Sequence, residues 1–463
     1  MPPTIATIVF AIGIVGLFIL DRDGKSQTSK ALWIPVGWLL IAGSRPVSLW
    51  LQAAPAVDSP DTYNIEANPV NVFIFSALLA AGLIVLVSRR QQVETLLQVN
   101  WPILLFFSYC ALSTLWSDYP AAAFRHWIRS LGDLVMVLIV LTDLEPVAAL
   151  KRLLARTAFL LLPLSVLLIK YYPDLGSAYS NSWEVMYTGI TDHKNTLGMT
   201  CLVFGLGSFW LLLEHYRTKG EPHRGRHFLA HGAILAMVLW LLRMARSVTS
   251  SSCFLMATAL IAVTSLTALG RKLGVVHFLV TALVSVSLFA LFLDPTGHLV
   301  ESLGRNPTLT GRTEVWHQVL GLAGNPLFGT GFESFWTGHR LQEVWSINEG
   351  DRVNEAHNGY LEVYLNLGWC GVTLLAVLIM TGYRNVIIAF RQDPDLGKLK
   401  LAYFVTAVIY SLTEAGFRMM SPTWTFFLLA IIAVPLPSIL NVSNLDEQFS
   451  LPDYWAREDE GVV

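Results

Sequence analysis

Thirteen apolar runs recur along the chain and leave little room for any fold but a helical one: 4–20, 31–44, 70–88, 102–116, 124–142, 153–170, 195–214, 228–243, 253–269, 275–293, 358–380, 401–416 and 423–440. Only 14% of the 463 residues are charged, against about 25% in soluble domains, and the mean hydropathy is +0.54. In hydrocarbon an open sheet cannot satisfy its backbone groups, so runs of this kind predict helices. The expected fold is an all-α polytopic integral membrane protein with about 12–13 transmembrane helices and one long loop, 294–357. The second run is short: fourteen residues separate Lys30 from Arg45, about 21 Å of helix against a hydrocarbon core of about 30 Å. The first run, from Ile5 to Leu20, has no basic stretch before it and no small-residue cleavage site, and reads as a retained span. Cys110, Cys201, Cys253 and Cys370 fall in or beside apolar runs without metal-ligand spacing and read as packing residues.

The net charge of −2 says nothing about partners, and no nucleic-acid partner is expected; the placement of the charges is informative. Alternate short loops hold 19 of the 31 basic residues, including Arg22, Lys25, Lys30, Arg89, Arg90, Lys151, Arg152, Arg217, Arg271, Lys272, Arg384 and Arg391. Cytoplasmic loops carry the Lys/Arg excess, so this set is expected inside and the long loop outside. A re-entrant segment 31–44 flips the N-terminus alone.

Four polar features then gather on the outer face. "TDHKNTLG" (Thr191–Gly198) opens a helix with Lys194, and a snorkelling lysine and a bound anion fit it equally. "RMARSVTSSS" (Arg243–Ser252) is a short turn whose Arg246 and hydroxyls serve either as helix caps or as a fork for phosphate oxygens. In "TGRTEVWHQVLGLAGNPLFGTGFESFW" (Thr310–Trp336) a helix is expected to start at Thr310 or Gly311 and to end at Gly324–Asn325–Pro326. Its apolar stripe suits packing, which leaves Arg312 unexplained. "EAHNGYLEVYLNLGW" (Glu355–Trp369) sets His357 at the start of a span. There the helix dipole is expected to hold the imidazole below its reference pKa of about 6.5, as a neutral proton acceptor. Arg125 adds positive charge to the same face; Arg129–Asp133 and Glu414–Arg418, each spaced i,i+4, read as structural pairs. Together these features suit chemistry on a phosphorylated lipid, with cationic side chains neutralising the diphosphate and no metal or other cofactor needed. "DRD" (Asp21–Asp23) has the form of a metal-binding transferase motif, but its basic neighbours place it on the inner side.

These stretches, with "HKNTLG", "RSVTSS", "GRTEVW", "GNPLFGTGFESFW" and "AHNGYLEVYLNLGWCG", resemble the O-antigen ligase and polymerase family of bacterial polysaccharide assembly, over about residues 180–390. "GSRPVSLW" and "DHKN" look closer to its exopolysaccharide-polymerase branch. The resemblance implies an inverting, metal-independent glycosyltransferase of the integral-membrane C-type fold. It would use an undecaprenyl-diphosphate-linked oligosaccharide at the periplasmic face of the bacterial inner membrane. His357 would be the base, and Arg246 and Arg312, with Lys194 and Arg125 in support, would hold the diphosphate. Asn358, Tyr360 and Glu355 would position substrate or the imidazole. Implied partners are the lipid bilayer and a flippase and chain-length regulator of the same pathway. A ligase acting on lipid A-core or protein, and a non-catalytic flippase or transporter, are the alternative readings. The expected division is 1–180 for the N-terminal spans, 181–390 for the ligase-like core and 391–463 for the C-terminal spans and tail.

Overall fold

A computed structural model describes residues 1–22, 27–51, 68–179, 183–217, 224–266, 272–290, 312–347 and 353–434; Asp23, Thr310, Gly311 and the tail from 435 onward lie outside the described residues. Each of the thirteen apolar runs overlaps a helix among the described residues, although the run 401–416 is helical only to Tyr410 and the run 423–440 only to Ile431. In chain order the described helices of ten residues or more are α1 (Pro3–Leu20), α2 (Trp33–Ala42), α3 (Pro69–Ser88), α4 (Arg90–Val99), α5 (Trp101–Ser113), α6 (Pro120–Leu141), α7 (Pro146–Tyr171), α8 (Lys194–Arg217), α9 (Arg224–Ala245), α10 (Val248–Thr264) and α11 (Leu273–Leu288). They continue with α12 (Arg312–Gly321), α13 (Gly338–Ile347), α14 (Gly359–Gln392), α15 (Pro394–Tyr410) and α16 (Pro422–Ile431). A proline in the first turn opens α1, α3, α5, α6, α7, α15 and α16. At that position its missing N–H costs nothing, because the N–H would have no partner within the helix. The one sheet among the described residues is a two-stranded ribbon, Ser177–Tyr179 with Val185–Tyr187, in the loop before α8.

Six helices (α1, α3, α7, α8, α9 and α14) are long and apolar enough to cross a membrane by length and composition, and α4 with Trp101–Trp116, bent by 90°, makes a seventh if taken as one span. The chain is thus an all-α polytopic membrane protein, with several of the expected spans shorter than a bilayer. Those shorter helices are largely interior. All ten residues of α16 are buried, as is most of α15, and a helix apolar on every side belongs in a core. By contrast α1 and α3 bury only 11% and 17% of their apolar windows and stand at the outside.

Among the described residues, turns collect at two ends of the bundle. At one end Asp21 pairs with His227 and His231, Lys151 with Glu214, and Arg89 with Asp143. At the other, Arg45 donates to the Thr191 carbonyl, Ser117 bonds Ser334, and Asn195 reaches Glu414. This is the alternation expected from the basic residues. It also settles the short second segment: Ser29 N–H meets the Asp143 carboxylate at one end while Arg45 N–H meets the Ile190 carbonyl at the other, so 30–45 traverses the bundle.

The Arg129–Asp133 pair does not form. A Cβ on Gly132 would lie 2.2 Å from the Trp38 ring, so its absence admits that indole, and Asp133 accepts from Trp38 Nε1 (2.7 Å) and from Met420 N–H (2.9 Å). Arg129 lies instead over the Phe75 ring, 5.2 Å from its centroid.

Outside the main core α12, α13 and the start of α14 share a small core of Val319, Phe335, Trp336, Leu341, Val344, Ala356 and Leu365. The α12 stripe therefore packs, as expected. Backbone hydrogen bonds run along α14, but Gly368 breaks it with φ 63° and ψ −165°. A side chain there would be strained and would meet the Leu327 carbonyl carbon at 2.3 Å. Loop 325–331 fills the break: Trp369 and Cys370 donate to the Pro326 and Leu327 carbonyls, and Thr330 and Gly331 donate to those of Leu365 and Asn366. His357 thus precedes a short segment, 359–367, and the long apolar stretch follows the kink.

Candidate active site

The turn after α15 carries the centre of the site. The helix ends at Tyr410 and the next begins at Pro422, so Glu414 and Arg418 lie in the turn between them and do not sit on one helical face. The Glu414–Arg418 pair expected from their spacing is accordingly absent, and each joins another group. Glu414, with a side chain 3% exposed, takes Arg312 Nη2 at 2.9 Å on one oxygen and His357 Nδ1 at 3.2 Å on the other. Glu355 takes the same Nδ1 at 2.8 Å. Arg418 lies 3.6 Å from Glu333 and 3.7 Å from Glu355. With the imidazole protonated, three carboxylates face three cations.

This environment reverses the expectation for His357. Burial by itself lowers its pKa, but the charges of Glu355 and Glu414 and their hydrogen bonds outweigh that and raise it to about 10. The helix start contributes partial charge, whereas two whole carboxylates stand within hydrogen-bond distance of Nδ1. Glu355 moves the opposite way. Burial pushes it up, but His357 and Arg418 bring it down to about 2. Nδ1 is held by both carboxylates, and Nε2 has no protein partner among the described residues.

The neutral histidine foreseen at 357 stands at 193. His193, exposed at its edge, is crowded by its neighbours, and that desolvation lowers its pKa despite the nearby Glu355 and Asp192. Its Nδ1 accepts from Asn195 N–H at the start of α8, which places the proton of the neutral ring on Nε2. Asn195 continues to both Glu414 oxygens at 3.4 Å.

Two of the cations named from sequence have no protein partner among the described residues: Arg246, exposed, and Lys194, half-buried. They flank a close approach. A Cβ on Gly198 would lie 2.7 Å from Ser250 Oγ, so α8 and α10 start side by side. Thr249 bonds Thr413 at 3.1 Å, tying that pair of helix starts to the Glu414 turn. Arg312 is placed differently from the open fork that was expected. It is 8% exposed and commits its guanidinium to Glu414 and the Thr413 carbonyl. Arg125 is half-buried on α6 beside His126, whose ring meets the Glu333 carbonyl. Asn358 caps α14 by accepting from the Tyr360 and Leu361 N–H groups. Tyr360 donates to the Val408 carbonyl and packs edge-on against Phe417, 5.3 Å between centroids.

Three of the five non-glycine residues with positive φ among the described residues, Arg246, Glu333 and His357, belong to this cluster. Such a conformation costs about 1–3 kcal/mol each and persists where the surroundings enforce it. The ligand atoms of Glu355, His357 and Glu414 lie within 4.8 Å of one another, a spacing a cation could bridge. With Glu333 counted, Arg312, Arg418 and a proton on His357 balance the three carboxylates as they stand.

Sequence reasoning missed Glu414, Glu333, Arg418, His193 and Asn195. The signal for the first was available: glycine and Ser-Pro in "TEAGFRMMSP" mark a turn, where the i,i+4 rule does not apply. Nothing in the sequence marks Glu333, which is brought in by loop 325–337 docking on α14.

Residues 228–376 match the family described as O-antigen ligase. The chain is also 25% identical to the exopolysaccharide production protein ExoQ of Rhizobium meliloti (strain 1021), over 72% of this chain and 79% of that protein. The apolar helical bundle, the domain match and this relative agree: the chain carries an O-antigen ligase family domain over 228–376 and is similar to a membrane protein family of polysaccharide assembly.

Proposed function

We propose that this protein is a polymerase, joining undecaprenyl-diphosphate-linked oligosaccharide units at the periplasmic face of the inner membrane, with inversion and without a metal. The observation that carries the reading is His357, held at Nδ1 by two carboxylates with no partner for Nε2 among the described residues, at the same end of the bundle as Arg246 and Lys194. In the proposed step Nε2 takes the proton of the acceptor hydroxyl as its oxygen attacks the anomeric carbon from the face opposite the leaving group. The bond from that carbon to the diphosphate breaks, and the lipid diphosphate leaves with the electron pair. Glu355 and Glu414 stabilise the imidazolium formed; Arg246 and Lys194 receive the diphosphate; Arg312 fixes Glu414; Arg125 adds positive charge behind the loop. The R. meliloti relative, named for exopolysaccharide production, favours this branch.

Incubating the purified protein with a lipid-linked repeat unit in EDTA tests the whole reading. A ladder of products is expected. A single product on lipid A-core makes it a ligase, no product makes it a transporter, and turnover abolished by EDTA overturns metal independence.

Two narrower outcomes follow from the geometry. Arg246→Ala is expected to weaken lipid-diphosphate binding by roughly 1.5–3 kcal/mol, the worth of a charge-assisted contact, without loss of stability. Lysine should restore little of that, because it cannot fork. Unchanged affinity in a binding titration removes Arg246 from the anion site. For sidedness, cysteine at His339 in a Cys370→Ser background should react with an impermeant thiol reagent in intact spheroplasts, and cysteine at Tyr216 should not. Labelling at 216 overturns the orientation.

A further inference from the structure

Between the end of α5 and loop 324–330 lies an open cleft of about 530 Å³ that the cluster around His357 does not use. Ligand sites in proteins commonly measure roughly 300–1,000 Å³. Its apolar surface is a pair of rings: Trp116, 37% exposed, and Phe328, 44% exposed, meet edge to face with centroids 5.8 Å apart. Trp116 Nε1 donates to the Phe328 carbonyl at 3.2 Å and so holds its indole against the loop. The polar side carries Asp118, exposed and paired with Arg340, and Asn325. Asn325 Oδ1 accepts from the Leu327 and Phe328 N–H groups, and its amide NH₂ has no partner among the described residues.

Aromatic residues at a membrane boundary often serve only as anchors. Anchoring calls for no carboxylate–guanidinium pair and no unpartnered amide beside the rings. A sugar calls for both kinds of group. The C–H face of a pyranose lies on an aromatic ring, and its hydroxyls need acceptors such as Asp118 and donors such as Asn325 and Arg340. The wall is also preformed. Asn366 Oδ1 accepts from Ser334 and Phe335 N–H, and the α14 break fixes 326–331, so little ordering cost falls on binding. Finally, cleft and ionic cluster share one loop. Ser117, next to Asp118, bonds Ser334 at 2.6 Å, and Ser334 adjoins Glu333, the partner of Arg418.

We infer that the cleft lined by Trp116, Phe328, Asp118, Asn325 and Arg340 is a saccharide-binding site that holds glycan away from the reacting atoms. The inference rests on the reading of the protein as acting on glycan. Its test uses the full chain in nanodiscs, titrated calorimetrically with a lipid-free oligosaccharide two repeat units long, released by mild acid from the host's own polysaccharide. Binding is expected in the wild type and, unchanged, in His357→Ala. Trp116→Ala and Asp118→Asn should each weaken it about tenfold or more, the usual effect of losing an aromatic anchor or a charge-assisted hydrogen bond. Trp116→Phe, which keeps a ring face, should recover most of the affinity and guards against a folding artefact. Absence of binding in the wild type overturns the inference, as does equal affinity in Trp116→Ala and Asp118→Asn. Turnover of lipid-linked units without oligosaccharide binding sinks the cleft alone. Oligosaccharide binding lost in those variants, with no turnover by any variant, upholds the cleft and sinks the transferase reading.

Discussion

His357→Ala is expected to lower turnover by roughly 10²–10⁴-fold, the usual contribution of a positioned base, while leaving lipid-diphosphate affinity nearly unchanged. The pH profile supplies the sharper signature. With its proton affinity raised to about 10 by Glu355 and Glu414, the imidazole is protonated at neutral pH and must lose that proton before attack. kcat/KM should therefore climb about tenfold per pH unit through the neutral range and level off near the His357 value, and the limb should vanish in His357→Ala. A profile flat from neutral to alkaline pH in the wild type would sink the base role. It would leave the imidazolium as a fixed charge beside the diphosphate.

Glu414→Ala should be the most damaging change to the fold of the site. It strips the carboxylate from Arg312, 8% exposed, and breaking a buried pair in this way costs about 3–5 kcal/mol. Denaturation of the purified variant in detergent measures this. Stability within about 0.5 kcal/mol of wild type, the range of an ordinary surface change, contradicts the pairing. The pH dependence of stability should change as well. His357 is raised from 6.5 to about 10 on folding, so its contribution is whole below about 6.5 and is lost as pH rises through about 10. Glu355 is lowered from 4.5 to about 2, so its contribution is present above about 4.5 and is lost as pH falls through about 2. Removing Glu414 takes away one of the two carboxylates raising His357. The alkaline loss should then begin at lower pH, and the kcat/KM limb should move down with it.

Some of the site could be read directly. His357, Glu355, Arg246 and Lys194 lie where short polar stretches interrupt apolar runs, and such interruptions show plainly against a 54% hydrophobic background. What those residues do to one another could not be read. Arg312 looked like a free fork because its partner lies about a hundred positions away, at Glu414. The His357 pKa was argued from its own helix, although the charges that set it come from its own loop and from the turn after α15.

The sequence by itself determined the helical architecture and the approximate positions of the long apolar helices. These follow from local hydropathy and charge, which a bilayer reads segment by segment. Only the tertiary structure decided which of the residues at the His357 end of the bundle meet. The Gly368 break opens α14 to loop 325–331, the turn after α15 carries Glu414 between Arg312 and His357, and Asn195 reaches it from α8. Those partners come from five separate loops and helix starts, and a charge's pairing depends on distance in space, on which spacing along the chain is silent once helical periodicity ends.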